Sequence, residues 1–528
     1  MLRIDQIRLL PGDSEALLPV KCARILRLPA EDIVSCAVLR RAIDAREGLT
    51  LVYTAAVEVK REDTVLRRCR DKRVSRYAPE AYALPAAVTA PEITPIVVGA
   101  GPAGLFAALV LARCGARPIV LERGRPVEQR QADVERFWSG GALDTESNVQ
   151  FGEGGAGAFS DGKLNTGTRD VRHRFIMKTL VRCGAPESIL ADAKPHVGTD
   201  MLHIALRSLR RELTEAGADI RFGARLESLR TKDGAVCGVT VRQDGAVYDL
   251  PARQVVLALG HSARDTFEML YRAGLAMEQK PFAMGVRIEH RQADVDAAQY
   301  RALAGHPALP PSTYKLSCHL PNGRSAFSFC VCPGGQVVAA ASETGRTVTN
   351  GMSEYARSGE NINGALLVNV TAEDFPSPHP LAGIALQRQV EAAAFALGGG
   401  NYRAPCQRVE DFLRGAPSAG AGRVTPSYRP GVVYTDMARC LPPFITETLR
   451  LALPVLGKKL KGYDDPDALL TGVETRSSSP VRLARDDNYE ANIRGIYPCG
   501  EGAGYAGGIL SAAADGMRCA EKLLEVCK

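Results

Sequence analysis

Gly99-Ala100-Gly101-Pro102-Ala103-Gly104 has the residue types and spacing of a turn that can cradle a pyrophosphate. Apolar Ile96-Val97-Val98 leads into it, LFAALVLARCG continues as a helix, and PIVL forms a second strand that ends at Glu122. Gly99 permits the tight turn, Gly101 lets the backbone approach a phosphate with no Cβ in the way, and Gly104 lets the helix pack closely on the sheet. The first helical turn offers free N–H groups and the positive end of the helix dipole. Glu122 lies about twenty residues further on and can hydrogen-bond a ribose hydroxyl. Arg123, beside it, could reach an adenosine phosphate or simply face water. Strand, turn, helix, strand and acid together predict dinucleotide binding.

The elements that must position this turn are spread over a long chain. With 528 residues, 45% hydrophobic and 24% charged, the composition is that of a globular protein of two or three domains. Residues 1–77 read as a small α+β unit: IDQIRLLPG a strand, ALLPVKCARILRL a helix, SCAVLRRAID a second helix or a strand, and LTLVYTAAVEVK a strand. Residues 78–94, rich in Ala and Pro, read as a linker. Residues 95–280 then form the first part of the dinucleotide domain, 281–440 a strand-rich substrate or cap domain, and 441–528 a return to the first domain. Within 95–280, DGAVCGVTVRQDGAVYDLPARQ alternates around Asp-Gly turns and predicts a β-hairpin or meander, while VVLALG is a buried strand ending at Gly260.

Composition bounds the setting. The longest apolar run near the turn, LFAALVLA, is too short to span a membrane, and Arg3, Asp5 and Arg8 spoil the N-terminus as a signal peptide. Fourteen scattered cysteines suggest reduced thiols, and so a cytoplasmic protein. The segment 60–76 holds eight basic and three acidic side chains, enough to consider RNA or an acidic partner. No aromatic stacking pattern accompanies it, so it reads as a solvated face or linker rather than a nucleic-acid site. A small-molecule substrate is the expected partner. No metal-ligand spacing stands out, and oligomeric state is not legible.

Three separated pieces, GAGPAG…LERG, the VVLALG strand and IYPCGEGAG near the C-terminus, occur in an order that resembles the glutathione-reductase-like FAD fold. That resemblance implies FAD, with Gly260 passing the dinucleotide. It also implies Gly500-Glu501 where the fold usually carries Gly-Asp, and a helix beginning near Gly508-Ile509 whose N-terminus points at the flavin. FGEGGAGAFSDGKLNT, VVLALGHSARDTFEML, AFSFCVCPGGQVV, TNGMSEYARSGEN, GVETRSSSPVR and YPCGEGAGYAGGILSAAADG are similar to a bacterial family of FAD-dependent dehydrogenases, or NAD(P)/FAD-dependent oxidoreductases. The implied architecture is α/β: a Rossmann-type FAD domain, an inserted α+β substrate domain and the small N-terminal α+β unit. The implied activity is hydride transfer between flavin N5 and an organic substrate, with NAD(P)H as a possible transient donor. A hydroxylase or saturase, an RNA-associated flavoprotein and a non-catalytic sensor are the alternatives.

The chemistry has several candidate carriers. There is no C-x-x-C, no cysteine in 148–167 and no second G-x-G-x-x-G after a strand, which argues against a disulfide reductase with its own nicotinamide domain. Lys163, in Ser160-Asp161-Gly162-Lys163, could stabilise reduced flavin or hold an anion, or be a solvent-facing turn lysine. His261, at a strand's carboxyl end, could bind pyrophosphate or move protons, or merely cap the strand. Arg264 is a further polar candidate, and Arg476 a possible anion clamp. In Cys330-Val331-Cys332, strand alternation would put both thiols on one face, and Cys332 is a candidate catalytic thiol beside the reading of both as packed hydrophobes.

Overall fold

The protein is described here from a computed structural model covering residues 1–46 and 48–526. Its central feature is a five-stranded, wholly parallel sheet in the order Ile496–Pro498, Val255–Leu257, Ile96–Val98, Ile119–Glu122, Asp219–Phe222. The three middle strands are almost entirely apolar and buried, as parallel strands covered on both faces must be. The Pro102–Arg113 helix is buried nearly all round because it lies between this sheet and the C-terminal helix Ile509–Val526. Two glycines make that close approach possible. A Cβ at Gly104 would sit 1.8 Å from the Gly99 carbonyl oxygen, and one at Gly516 would sit 2.0 Å from that of Ala103.

The expected meander is present as antiparallel strands Ala224–Lys232, Ala235–Gln243 and Ala246–Pro251. Both connecting turns are Asp-Gly with positive φ at each residue, matching the right-handed twist of a hairpin.

The N-terminal unit runs strand, helix, strand, strand, helix, strand, with Leu2–Leu9 and Thr50–Val59 at the centre of a four-stranded antiparallel sheet. This is the split βαβ topology of ferredoxin-like units. SCAVLRRAID falls within the edge strand Ile33–Asp44. The basic segment 60–76 departs from the linker reading. It folds into helix Glu62–Arg68, which buries Val65, and edge strand Val74–Arg76. Its excess charge therefore sits on the outside of a packed element.

Residues 78–94 also depart from a free linker. They lack regular structure, yet Tyr82 packs edge-on against Phe175 at 5.0 Å and the Val88 N–H donates to the Cys114 carbonyl at 2.8 Å. Tyr82, Leu84 and Val88 contact the main core.

The second large sheet has seven strands in the order Ser317–His319, Ser325–Cys332, Asn361–Val370, Phe282–Arg291, Leu469–Glu474, Ala404–Arg408, Val432–Tyr434, antiparallel except for the last pair. The expected boundary at 440 cuts through it. Strand Leu469–Glu474 and helix Pro443–Lys459 belong to this sheet and its core, because their apolar residues pack there rather than against the parallel sheet. Among the described residues, no helix is long and apolar enough to cross a membrane.

Candidate functional site

A cavity follows the carboxyl ends of strands Ile96–Val98, Ile119–Glu122, Val255–Leu257 and Ile496–Pro498, where open parallel sheets hold their ligands. It is lined by Gly99, Gly101, Pro102, Ala103, Glu122, Arg123, Gly260, His261, Gly500, Glu501, Gly508 and Ile509, so nearly all the cofactor residues expected from sequence converge on it. Ala100 and Gly104 lie in the same turn but are buried behind it.

Gly99 has φ +104°, and its Cβ would meet the Ala258 carbonyl oxygen at 2.4 Å. Gly101 differs: its Cβ would find only Gly155 Cα, at 3.8 Å. The space beside Gly101 is therefore cavity, the cradle a pyrophosphate requires. Glu122 is buried, and its carboxylate accepts N–H bonds from Ala100 at 2.7 Å and from Gly124 and Gly152 at 2.9 Å each. Three of its about four acceptor sites thus brace the turn and the following loop.

Arg123 is not a water-facing residue. It pairs with Glu146 and Asp265, both at 2.8 Å, and lies over the Phe151 ring at 4.1 Å. The glycine-rich stretch after it is clamped by Arg130, which is fully buried and donates to the carbonyls of Asn148, Val149 and Glu153 at 2.6–2.9 Å. On the C-terminal side, the Gly500 N–H donates to Asp515 at 2.8 Å. Gly508, at φ +128°, sets the start of the Ile509–Val526 helix at the cavity.

The far end of the cavity carries the titratable groups. Asp161 is buried and binds Lys163 at 2.9 Å, Arg357 at 2.5 Å and the Ser353 hydroxyl. Burial disfavours its charge, but Lys163 and Arg357 outweigh that and hold its carboxyl below the usual range. Lys163 also donates to the Val331 carbonyl. Burial works against its ammonium, yet the thiols of Cys332 and Cys330 and the Asp161 carboxylate keep it charged above its ordinary range.

The cysteine pair is arranged otherwise than alternation predicts. Pairing with the neighbouring strand slips between Phe329 and Cys332, and Cys330 takes φ +41°. Cys330 consequently lines the cavity, whereas Cys332, the thiol singled out from sequence, is fully buried and does not. The Cys332 thiol donates to the Cys330 carbonyl at 3.3 Å, and that neighbouring thiol, with Lys163 and Arg287 nearby, pulls Cys330 down to about 5 against the effect of burial, while the proton stays on Cys332.

Sequence reading did not find Arg287 or Glu474. Arg287 is fully buried, donates to the Cys330 carbonyl at 2.9 Å and pairs with Glu474 at 3.3 Å. Burial pushes Glu474 up to about 7, with Arg287 only partly opposing. Their strands are nearly 200 residues apart; Glu474 lies within GVETRSSSPVR, but that string does not mark it as a partner of Arg287, and the sheet register joins them.

His261 and Glu501, far apart in the chain, meet with Nδ1 3.4 Å from the carboxylate. The His261 Nε2 is buried and has no hydrogen-bond partner among the described residues, so a polar atom is left for a ligand. Ser160 and Arg476 also line the cavity, but Arg264 does not. Both arginines are held by Glu391, at 2.7 and 3.0 Å. A guanidinium so neutralised is a weak anion clamp.

A family model described as "FAD binding domain" matches residues 94–163, and one described as "FAD-dependent protein, C-terminal domain-like" matches 281–477. A domain of unknown function matches 1–60. An uncharacterised protein of Clostridium beijerinckii is 45% identical over 99% of this chain and 98% of its own length. Protein FixC of Escherichia coli K12 is 31% identical over 37% of this chain and 42% of its own. Among solved structures, a Bacillus halodurans glycerol-3-phosphate dehydrogenase complexed with FAD aligns at 12% identity over 82% of this chain and 64% of that one, with a TM-score of 0.35, too low to carry an argument.

Proposed function

We propose, for a chain that belongs to a family of FAD-dependent oxidoreductases, that it transfers a hydride between its flavin and a small organic molecule held against the seven-stranded sheet. The observation carrying this reading is a single cavity: one end is the dinucleotide turn, and the other is walled by Lys163, Cys330 and Glu474. We place the cofactor in a glutathione-reductase-like arrangement, with the seven-stranded sheet as the inserted substrate domain. When bound, FAD supplies a two-electron acceptor and donor at N5.

The chain's own residues then divide the work. Backbone N–H groups of Gly101 and Ala103 hold the pyrophosphate, Glu122 takes a ribose hydroxyl, and Gly260 and Gly500–Glu501 flank the dinucleotide. The first turn of Ile509–Val526 offers a positive dipole end, which favours negative charge on a neighbouring ring. Lys163 adds a fixed positive charge at the reacting end. Glu474, which burial pushes up to about 7, is the group able to accept or release a proton near neutrality, and Cys330 replaces Cys332 as the thiol in reach. With no second nucleotide turn in the sequence, a nicotinamide donor would have to enter by the substrate's own face.

The test is to follow flavin absorbance anaerobically with NADH, NADPH and a pool of small metabolites. The expected result is bleaching by at least one of them. A flavin that dithionite reduces but no organic donor does would overturn hydride transfer and favour a sensor.

A further inference from the structure

The reacting end of the cofactor cavity adjoins a second, larger cavity of about 1380 Å³. Lys163, Asn165, Phe329 and Cys330 line both, so a molecule in the second cavity abuts the first at these four residues. The walls come from three parts of the chain: the N-terminal sheet through its edge strand Ile33–Asp44, the segment 192–196, and residues 298–315 with strand Ser325–Cys332.

The charge on these walls is one-sided. Eight lining side chains are Lys or Arg, and Asp192 is the single acidic one. Asp192 is itself taken by Arg41 at 2.8 Å. Arg40, Lys194, Arg301 and Lys315 are exposed to the cavity and have no ion-pair partner among the described residues. Like charges gathered on a concave wall repel one another and raise the local concentration of anions. Between the charges the wall is partly apolar, with Phe329 42% exposed and Tyr300, Leu309 and Pro310 also lining the space, and partly polar, with Asn165, His196 and Gln299.

The N-terminal unit is fixed in register with this cavity rather than loosely appended. The Arg41 N–H donates to the Ala191 carbonyl at 2.6 Å, the Ala193 N–H donates to the Arg41 carbonyl at 2.8 Å, and the guanidinium binds Asp192 across the same joint. Strand pairing of this kind holds Arg40 and Arg41 on the cavity wall.

We infer that this second cavity is the substrate chamber, and that it takes a polyanionic organic molecule whose carboxylate or phosphate groups are held by Arg40, Lys194, Arg301 and Lys315. Its apolar body lies on Phe329, and its reacting carbon is presented between Lys163 and Cys330. The N-terminal unit is then one wall of the active site. This inference rests on the hydride-transfer reading for what happens at the junction, but the anion site stands or falls by itself.

The experiment uses the full-length, FAD-loaded protein, titrated with citrate and with inorganic pyrophosphate by calorimetry and by flavin difference absorbance. Saturable binding of at least one is expected, weakening with added salt. Binding should fall about tenfold or more in the Arg40→Glu/Lys194→Glu double variant and stay unchanged in Lys232→Glu, a charge reversal on the distant meander. FAD content should be equal in all three. Preference for citrate would identify a carboxylate substrate, and preference for pyrophosphate a phosphorylated one. Absence of binding by both anions, or equal binding by the double variant, overturns the inference even when an organic donor bleaches the flavin. Binding as expected with a flavin that no donor reduces leaves the anion site standing and removes the hydride-transfer reading alone.

Discussion

At the scale of single residues, two glycines of one turn separate cofactor binding from folding. Gly101 has open space where its side chain would be, so Gly101→Val should fold normally and lose FAD, its methyls occupying the pyrophosphate path. Gly104 faces the Gly99 carbonyl, so even Gly104→Ala should destabilise the chain, by about 1–3 kcal/mol of overpacking. FAD-to-protein ratio after gel filtration and thermal melting distinguish the two, and stoichiometric FAD in Gly101→Val would refute the assignment of this turn. Cys330 gives a second residue-scale prediction. Because its thiol is pulled down to about 5, it is already thiolate at neutrality. Its alkylation by iodoacetamide should be nearly flat from pH 6 to pH 8 and fall as pH drops through about 5, unlike an ordinary thiol with pKa near 8.5. Lys163→Met should move that fall to higher pH, because the nearby positive charge is removed. A rate in the wild type that climbs about tenfold per pH unit from 6 to 8, read by mass spectrometry of the Cys330 peptide, would show that no such thiolate exists.

At the scale of elements, legibility tracked how local the signal was. The dinucleotide turn is written in glycine spacing over six residues, and the meander in two Asp-Gly pairs, so both could be read directly. Segment 60–76, read as a solvated face or linker, carries its charge on the outside of a packed helix and strand, and its fold was hidden because charge dominates its composition. Its helix is anchored by Val65 with Leu66 beside it, and two adjacent apolar residues in a segment with eight bases are a faint periodicity. The Cys330 bulge left no mark at all. Period-2 alternation is the default for a strand, and the slip in pairing depends on a neighbour some thirty residues later. Arg130 shows the same limit more sharply. A buried guanidinium that binds carbonyls of a glycine-rich loop looks, in sequence, like any helical arginine. Sequence therefore located the cofactor and underdetermined the reacting end, where register between distant strands brings Arg287, Cys330 and Glu474 together and Asp161 gathers Lys163 and Arg357 from two loops.

At the scale of the whole molecule, the question is how a separately folded N-terminal unit can serve as a wall of a site near residues 163 and 330. Two attachments answer it: the Arg41–Asp192 joint on one side and the packed segment 78–94 on the other. Tyr82 is the anchor of that segment. Its ring packs on Phe175, and its hydroxyl donates to Glu521 at 2.7 Å, which Arg172 also binds. Removing the ring and the hydrogen bond together should cost about 1–3 kcal/mol of local stability, enough for about a tenfold rise in opening of the segment. Thermolysin should therefore cut Tyr82→Ala within 78–94 about ten times faster than the wild type and separate the N-terminal unit. FAD should stay bound through that cleavage, since no residue before the strand at Ile96 lines the cofactor cavity. Citrate or pyrophosphate binding should decline in step with it, because Arg40 and Arg41 leave the wall of the second cavity. Equal resistance in wild type and variant would mean that Tyr82 does not anchor the segment. FAD lost at the rate of cleavage would mean that the N-terminal unit supports the cofactor and not the substrate.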